Sequence, residues 1–211
     1  MRFNLLFFAS GLILFSYGIS VAIQVQYLGI HPWDVLNVAL FDKFGVTIGV
    51  WNLAIGLLLV LVSLIVDRKY IRIGTLINAM SIGPLIDLFL FIDVFPESSS
   101  TVMDIAVLLL GIVFMGIGGG MYSAAGFGAG PRDGFMLSLS DKLGYSISRT
   151  RIAVESLVLV IGLLIGGPVF IFTLIYTLIQ SPIFQFSFVK VTEFLKKTAS
   201  VDHSDEKVKS V

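Results

Sequence analysis

No cysteine occurs in the chain. That removes a disulfide framework and any thiolate metal site. Histidine is nearly as scarce, with only His31 and His203, so neither a metal nor another cofactor is expected. Charge is thin as well. Asp, Glu, Lys and Arg together make up 13% of the residues, against roughly a quarter in ordinary soluble domains. Their sum is zero, and no soluble basic face exists for nucleic acid. A phosphate-binding glycine loop is missing too, because Gly118-Gly119-Gly120 lies inside an apolar run and leads to no lysine. Without a recognisable nucleophile–base set, no enzyme is expected.

What the chain does have is apolar surface. Hydrophobic residues account for 56% of it, and 18 residues are Phe. A soluble protein of 211 residues could not bury that much, so the expected solvent is lipid. Six apolar segments stand out, at about 4–24, 47–66, 73–92, 102–124, 152–166 and 168–189. Lipid offers no partners to backbone amides, so each is expected to be a helix. The first segment follows Arg2 and ends in small residues, as a signal peptide does. It is longer than the 7–15 residues typical of a signal core and closer to the roughly 20 that span a bilayer. It is read as a retained membrane helix.

The chain also repeats. Gly29-Ile30-His31-Pro32-Trp33-Asp34-Val35 recurs as Gly128-Ala129-Gly130-Pro131-Arg132-Asp133-Gly134, at an offset of 99 positions. The same offset pairs Leu40 with Leu139, Asp42-Lys43 with Asp141-Lys142 and Gly45 with Gly144. After a slip of one, Thr75 pairs with Thr173 and Pro84 with Pro182. Such self-similarity outranks single-residue signals. It divides the chain into a first three-helix repeat at 1–95, a second at 96–189 and a basic, polar tail at 190–211 that is expected to be disordered. Ser98-Ser99-Ser100, after Pro96-Glu97, marks the turn between the halves.

Basic residues set the expected orientation. With the N-terminus in the cytoplasm and six spans, all of the 14 basic residues except Lys43 fall on the cytoplasmic side, as the positive-inside rule requires. Both termini are then cytoplasmic. Three is an odd number of spans, so the two repeats must cross the membrane in opposite senses. The expected fold is an all-α polytopic membrane protein with six transmembrane helices in two inverted-topology repeats. Inverted repeats characterise many secondary transporters, whose sites lie near the midplane between the halves.

Each motif reads as the start of a short helix. Pro32 and Pro131 suit the first helical position, Asp34 and Asp133 meet the positive end of the helix dipole, and Gly45 and Gly144 suit a left-handed C-cap. About 12 residues give roughly 18 Å, too short to cross a core of about 30 Å. Trp33, Leu36, Leu40 and Phe44 form an apolar stripe opposite Asp34 and Asn37. The helix either lies in the interface or dips partway into the bundle as a re-entrant element. Each feature suits an ordinary helix cap; jointly, two opposed N-termini aimed at one cavity would suit an anion or carboxylate, with Arg132 as its charged partner.

Leu28-Gly29-Ile30-His31-Pro32-Trp33-Asp34, the second copy at Gly128–Gly134, Arg151 with Glu155, and Gly166-Gly167 together resemble the YczE/YitT-type family of bacterial integral membrane proteins. The resemblance covers roughly residues 5–185. It implies a multi-pass plasma-membrane protein of a group without an established activity. Where that family is expected to carry Gly-Thr and Gly-Pro in the second half, this chain has Phe172-Thr173 and Ser181-Pro182.

Ionisable groups within spans are candidates by default, because inserting them costs about 2.5–3.5 kcal/mol. Asp87 lies inside the third segment, with Arg132 or Asn52 as partners only across the bundle. Glu155 lies inside the fifth, one turn from Arg151, and the pair at i, i+4 also suits simple neutralisation. Asp34, Asp87, Arg132, Asp133, Arg151 and Glu155 are therefore the candidate substrate or ion ligands. Gly116, Gly120, Ala124 and Gly128 at four-residue spacing, with Gly18 and Ala22, predict close packing of the first and fourth segments. The expected function is a small-solute transporter or channel with its site between the repeats. The alternative is a non-transporting membrane scaffold or regulator of another membrane protein.

Overall fold

The apolar runs fold as helices, each satisfying its own backbone. The computed structural model describes residues 2–92 and 100–209, and every regular element among them is helical. In chain order these are α1 (Arg2–Gln24), α2 (Pro32–Phe44), α3 (Ile48–Val66), α4 (Ile73–Ile92), α5 (Thr101–Ala124), α6 (Pro131–Leu143), α7 (Ile147–Ile165) and α8 (Ile171–Lys209). One-turn 3-10 helices at Gln26–Leu28 and Arg68–Tyr70 sit in the connections.

Five helices, α1, α3, α4, α5 and α8, are long and apolar enough to cross a membrane. The other expected span falls on α7. It has the 19 residues of α3 but carries Arg149, Arg151 and Glu155 in its first half, a charge load that composition alone does not pass as a span. Large apolar side chains such as Ile65, Phe91, Val102 and Leu164 stand exposed on the outer faces. The interior packs around Ile19, Ile30, Ile86, Leu108, Ile112 and Tyr176.

The same local chemistry starts the corresponding helices of both halves. Thr47 accepts from the Val50 amide at the head of α3, and Ser146 from the Arg149 amide at the head of α7. The Arg72 amide donates to Thr75 Oγ1 at 3.2 Å, and the Phe170 amide to Thr173 Oγ1 at 3.3 Å. Each hydroxyl satisfies an amide that has no partner within its helix. The turn expected at 96–99 lies outside the described residues, but Ser100 caps α5 by accepting from the Met103 amide.

Packing also recurs. α1 runs against α5 in the most extensive seam of the molecule, α4 packs on α1 as α8 does on α5, and α2 packs on α7 as α6 does on α3. One correspondence fails: α3 lies along α4, whereas α7 shares no extended seam with α8.

The close α1–α5 approach was expected, and so were Gly18 and Ala22 on α1, but not the α5 residues that meet them. A Cβ on Gly11 would sit 2.6 Å from the Tyr122 amide and one on Gly18 would sit 2.7 Å from the Gly111 carbonyl; one on Gly118 would meet the Phe15 amide at 2.5 Å. The seam therefore runs along Gly11 and Gly18 against Gly111 and Gly118, at a seven-residue spacing. The four-residue row points elsewhere: Gly116 faces Ile183 and Gly120 faces Ser187 of α8, and Gly128 lies beyond the helix with φ +134°. A helix with glycines on two faces serves two neighbours, and spacing alone does not assign them.

α8 runs on past 190, where the polar tail was expected to begin, to Lys209. Val191 is buried, and the Phe194 ring packs edge-on against Phe3 and Phe7 of α1. Two apolar residues among charges were enough to hold that segment on the bundle.

Candidate functional site

The short helices bring the two motifs together. α2 begins at Pro32 with His31 as its N-cap: the Trp33 amide donates to His31 Nδ1 at 3.4 Å. α6 begins at Pro131 on Gly130, with no side-chain cap. Gly144 ends α6 in the left-handed region, φ 68° and ψ 19°, as expected. Gly45 ends α2 with φ 74° but ψ −151°, so its left-handed cap is not formed. α2 does not lie flat on a surface. Trp33, Asp34, Val35, Asn37, Val38 and Ala39 are all buried, and exposure begins near Phe41. Its N-terminal turns dip into the bundle.

Both helix starts open on one cavity of about 80 Å³. At roughly 10–15 Å³ per water, that is room for about five to eight waters. Its lining follows the repeat. His31 and Gly130 both contribute, as do Trp33 and Arg132, Asn52 and Arg151, and Gly56 and Glu155; each pair is separated by the same 99 positions. Ile82 and Gln180 add a pair at the shifted offset. Equivalent positions carry unlike chemistry, and in three of the five pairs a neutral residue of the first half stands opposite a charged one of the second: Arg132, Arg151 and Glu155.

One carboxylate–guanidinium pair crosses between the halves, and others lie within the second. Arg132 Nη2 lies 3.4 Å from Asp34 Oδ1, and its guanidinium stacks 5.4 Å from the centre of the Trp33 ring. Arg151 Nη2 donates to Asp133 Oδ1 at 2.8 Å. Its Nε lies 4.0 Å from Glu155 Oε1, so the expected i, i+4 pair is the looser of the two. His31 Nε2 is 3.9 Å from the same Glu155 oxygen. Because His31 Nδ1 accepts the Trp33 amide, the proton of the neutral ring resides on Nε2, toward Glu155. Asp34 is 1% exposed and its Oδ2 has no hydrogen-bond partner. Trp33 Nε1, Asn78 Nδ2 and Arg151 Nε likewise make no hydrogen bond, and all three residues line the cavity.

Five of the six candidate ligands are thus brought together: Asp34, Arg132, Asp133, Arg151 and Glu155. Asp87 is not among them, and neither Arg132 nor Asn52 is its partner. Its carboxylate accepts from the Gly49 amide at 2.8 Å and from the Thr47 hydroxyl. It caps α3 from the neighbouring helix, where Gly49 and Gly83 let the backbones touch. At the head of α3 this carboxylate meets an amide, a hydroxyl and the helix dipole, which explains its presence inside an apolar run. His31, Trp33, Asn52, Asn78, Tyr122 and Gln180 line the cavity without having been singled out. For Asn52 and His31 a signal existed, since the repeat places them opposite Arg151 and Gly130. For Asn78 and Tyr122 it did not.

The family of unknown function DUF6198 matches residues 2–188. The chain is 36% identical over 203 residues to the uncharacterized membrane protein YczE of Bacillus subtilis (strain 168), covering 94% of each. It is 32% identical over 171 residues to the uncharacterized protein YyaS of the same organism, covering 81% of this chain and 85% of that one. An uncharacterized protein of Haemophilus influenzae is 29% identical over 166 residues, with coverage of 78% and 74%. No solved structure matches the chain.

Proposed function

This chain belongs to the DUF6198 family, of YczE-type membrane proteins, and we propose that it is a small-solute transporter of the plasma membrane whose site is the cavity between two inverted repeats. One observation carries the reading: the N-terminal ends of α2 and α6, equivalent in sequence, meet at a single polar cavity and are joined there by Arg132 and Asp34. Duplicated caps with a purely local role would have no reason to converge. The recurrent hydroxyl caps and packing pairs support the repeat, and a span at α7 makes each half odd-numbered. Both termini then lie in the cytoplasm, with the basic residues.

The failed correspondence favours a carrier over an open channel. On the outer side, Asp87 draws α4 onto the head of α3. The equivalent pair on the cytoplasmic side, α7 and α8, is parted. A helix pair fastened in one half, with no extended seam between its counterparts in the other, is the asymmetry expected of one half of an alternating cycle.

The test is flux into proteoliposomes. Saturable uptake is expected from the intact chain and loss of at least tenfold from Arg151→Leu and from Arg132→Met. Flux undiminished by both replacements would remove the cavity from the transport path. Absence of flux for any solute, together with a stoichiometric membrane partner, would favour a scaffold.

A further inference from the structure

The cavity also constrains what it can hold, on the reading that it is the transport site. Consider first its charges. Arg132 and Arg151 face Asp34, Asp133 and Glu155, with His31 beside Glu155. Each helix N-terminus adds roughly half a positive charge, so two of them offset about one carboxylate. The electrostatic balance of the empty cavity is close to neutral. A strongly charged multivalent ion would find no surplus of opposite sign.

The hydrogen bonds are not balanced in the same way. Every unpartnered atom contributed by a residue of the lining is a donor: Trp33 Nε1, Asn78 Nδ2 and Arg151 Nε. Trp33 is 3% exposed and Asn78 2%, so bulk water cannot serve them. The uncapped head of α6 faces the same space. Buried donors left unmade are destabilising, and a ligand rich in acceptors would recover that loss. Phe15, Ile82, Met115, Met136 and Phe184 complete the walls and suit a short apolar tail. With space equivalent to about five to eight waters, the ligand is small.

We propose that the cavity binds a short-chain monocarboxylate, its head group taking the hydrogen bonds that Trp33, Asn78 and Arg151 leave unmade and its tail lying on the apolar walls. The two oxygens carry enough lone pairs for all three donors, and the single charge is the least that satisfies them ionically. Inorganic anions would leave the apolar walls uncovered. A cation would bring more donors to a surface already rich in them.

The chain supplies its own reporter, since it contains just two tryptophans. Trp51 is not part of the lining; its Nε1 donates to the Gly45 carbonyl at 2.9 Å. The intact protein, labelled with ¹⁵N-tryptophan and held in nanodiscs, is titrated with butanoate while both indole N–H signals are followed. A saturable shift of Trp33 with Trp51 unmoved is expected, with affinity reduced about tenfold, or about 1.4 kcal/mol, by Asn78→Leu and by Arg151→Gln. The Trp51 signal certifies the fold of each variant. No Trp33 shift with butanoate, or an equal shift with chloride, phosphate, butylammonium or butanamide, would overturn the assignment. Butanoate binding without flux would strike the transport reading and leave the ligand class standing. Flux of another solute, with butanoate inert, would do the reverse.

Discussion

At the scale of single residues, the centre of the site rests on Asp34 and Arg132. The carboxylate is enclosed, while the guanidinium is 19% exposed and braced by the Trp33 ring. Breaking such a pair from one side strands a charge and costs about 3–5 kcal/mol, whereas replacing both partners is far milder. Arg132→Met is therefore expected to lower the thermal unfolding midpoint in detergent markedly, and Asp34→Leu added to it to restore most of the loss. A midpoint unmoved by Arg132→Met would show that Asp34 needs no partner. Lysine at 132 would keep the charge but lose the guanidinium over the Trp33 ring, so a partial loss is expected there. These residues were legible as motif members. Their pairing was not, because a contact between Asp34 and Arg132 depends on how two distant helix starts approach.

At the scale of elements, close approach is governed by which glycines face backbone. A side chain at Gly18 or Gly118 would strike backbone of the opposite helix, and backbone cannot swing aside. Gly18→Ala and Gly118→Ala are each expected to destabilise by about 1–3 kcal/mol, the usual penalty of overpacking. Gly134→Ala, which meets only the tip of Ile71 at 3.3 Å, should be nearly neutral by the same measurement of unfolding. A second element-level contact lies outside the spans. The Tyr70 hydroxyl and Lys69 ammonium both donate to Asp141 of α6 and hold its carboxyl below the usual carboxylate range. A lowered folded-state pKa means stability that is present above the ordinary carboxyl pKa and fades as pH falls through the lowered value. Amide exchange in Arg68–Tyr70 should quicken over that acid range, and Asp141→Asn should make it fast at all pH values. The Lys69 and Asp141 side chains are 64% and 44% exposed, and solvent screening keeps the effect small. Helix existence and starts were readable from apolar runs, prolines and hydroxyl caps. The face each glycine presents was not, since three-residue and four-residue spacings put small residues on several faces of α5 at once. The extension of α8 was missed because Val191 and Phe194 are sparse among charges, and only the rings of α1 give them a surface.

At the scale of the whole molecule, the two halves share a plan but stand in different postures. Asp87 fastens α4 to Thr47 and Gly49, and the corresponding positions in the second half are Gln185 and Ser146, both exposed. The absence of native cysteine allows the two sides to be compared with introduced pairs alone. Thr47→Cys with Asp87→Cys should cross-link with a short reagent in the protein at rest, and Ser146→Cys with Gln185→Cys only when substrate drives the cycle. Equal cross-linking of both pairs at rest would mean that the halves do not alternate. The repeat itself was visible in the sequence, and so was the idea of a shared site. The difference in posture was not, because it lies in the packing of α7 against α8 and in no single residue.

The contact between Trp33 and Arg132 has a further consequence. These two occupy the same place in their motifs and yet lie against one another. Two separate, identical subunits meeting there would bring tryptophan to tryptophan or arginine to arginine, and a cation over a ring would be out of reach. Fusing the copies into one polypeptide releases each from resembling its mate. The heart of the molecule can then be unlike on its two sides, which no homodimer of either half could achieve.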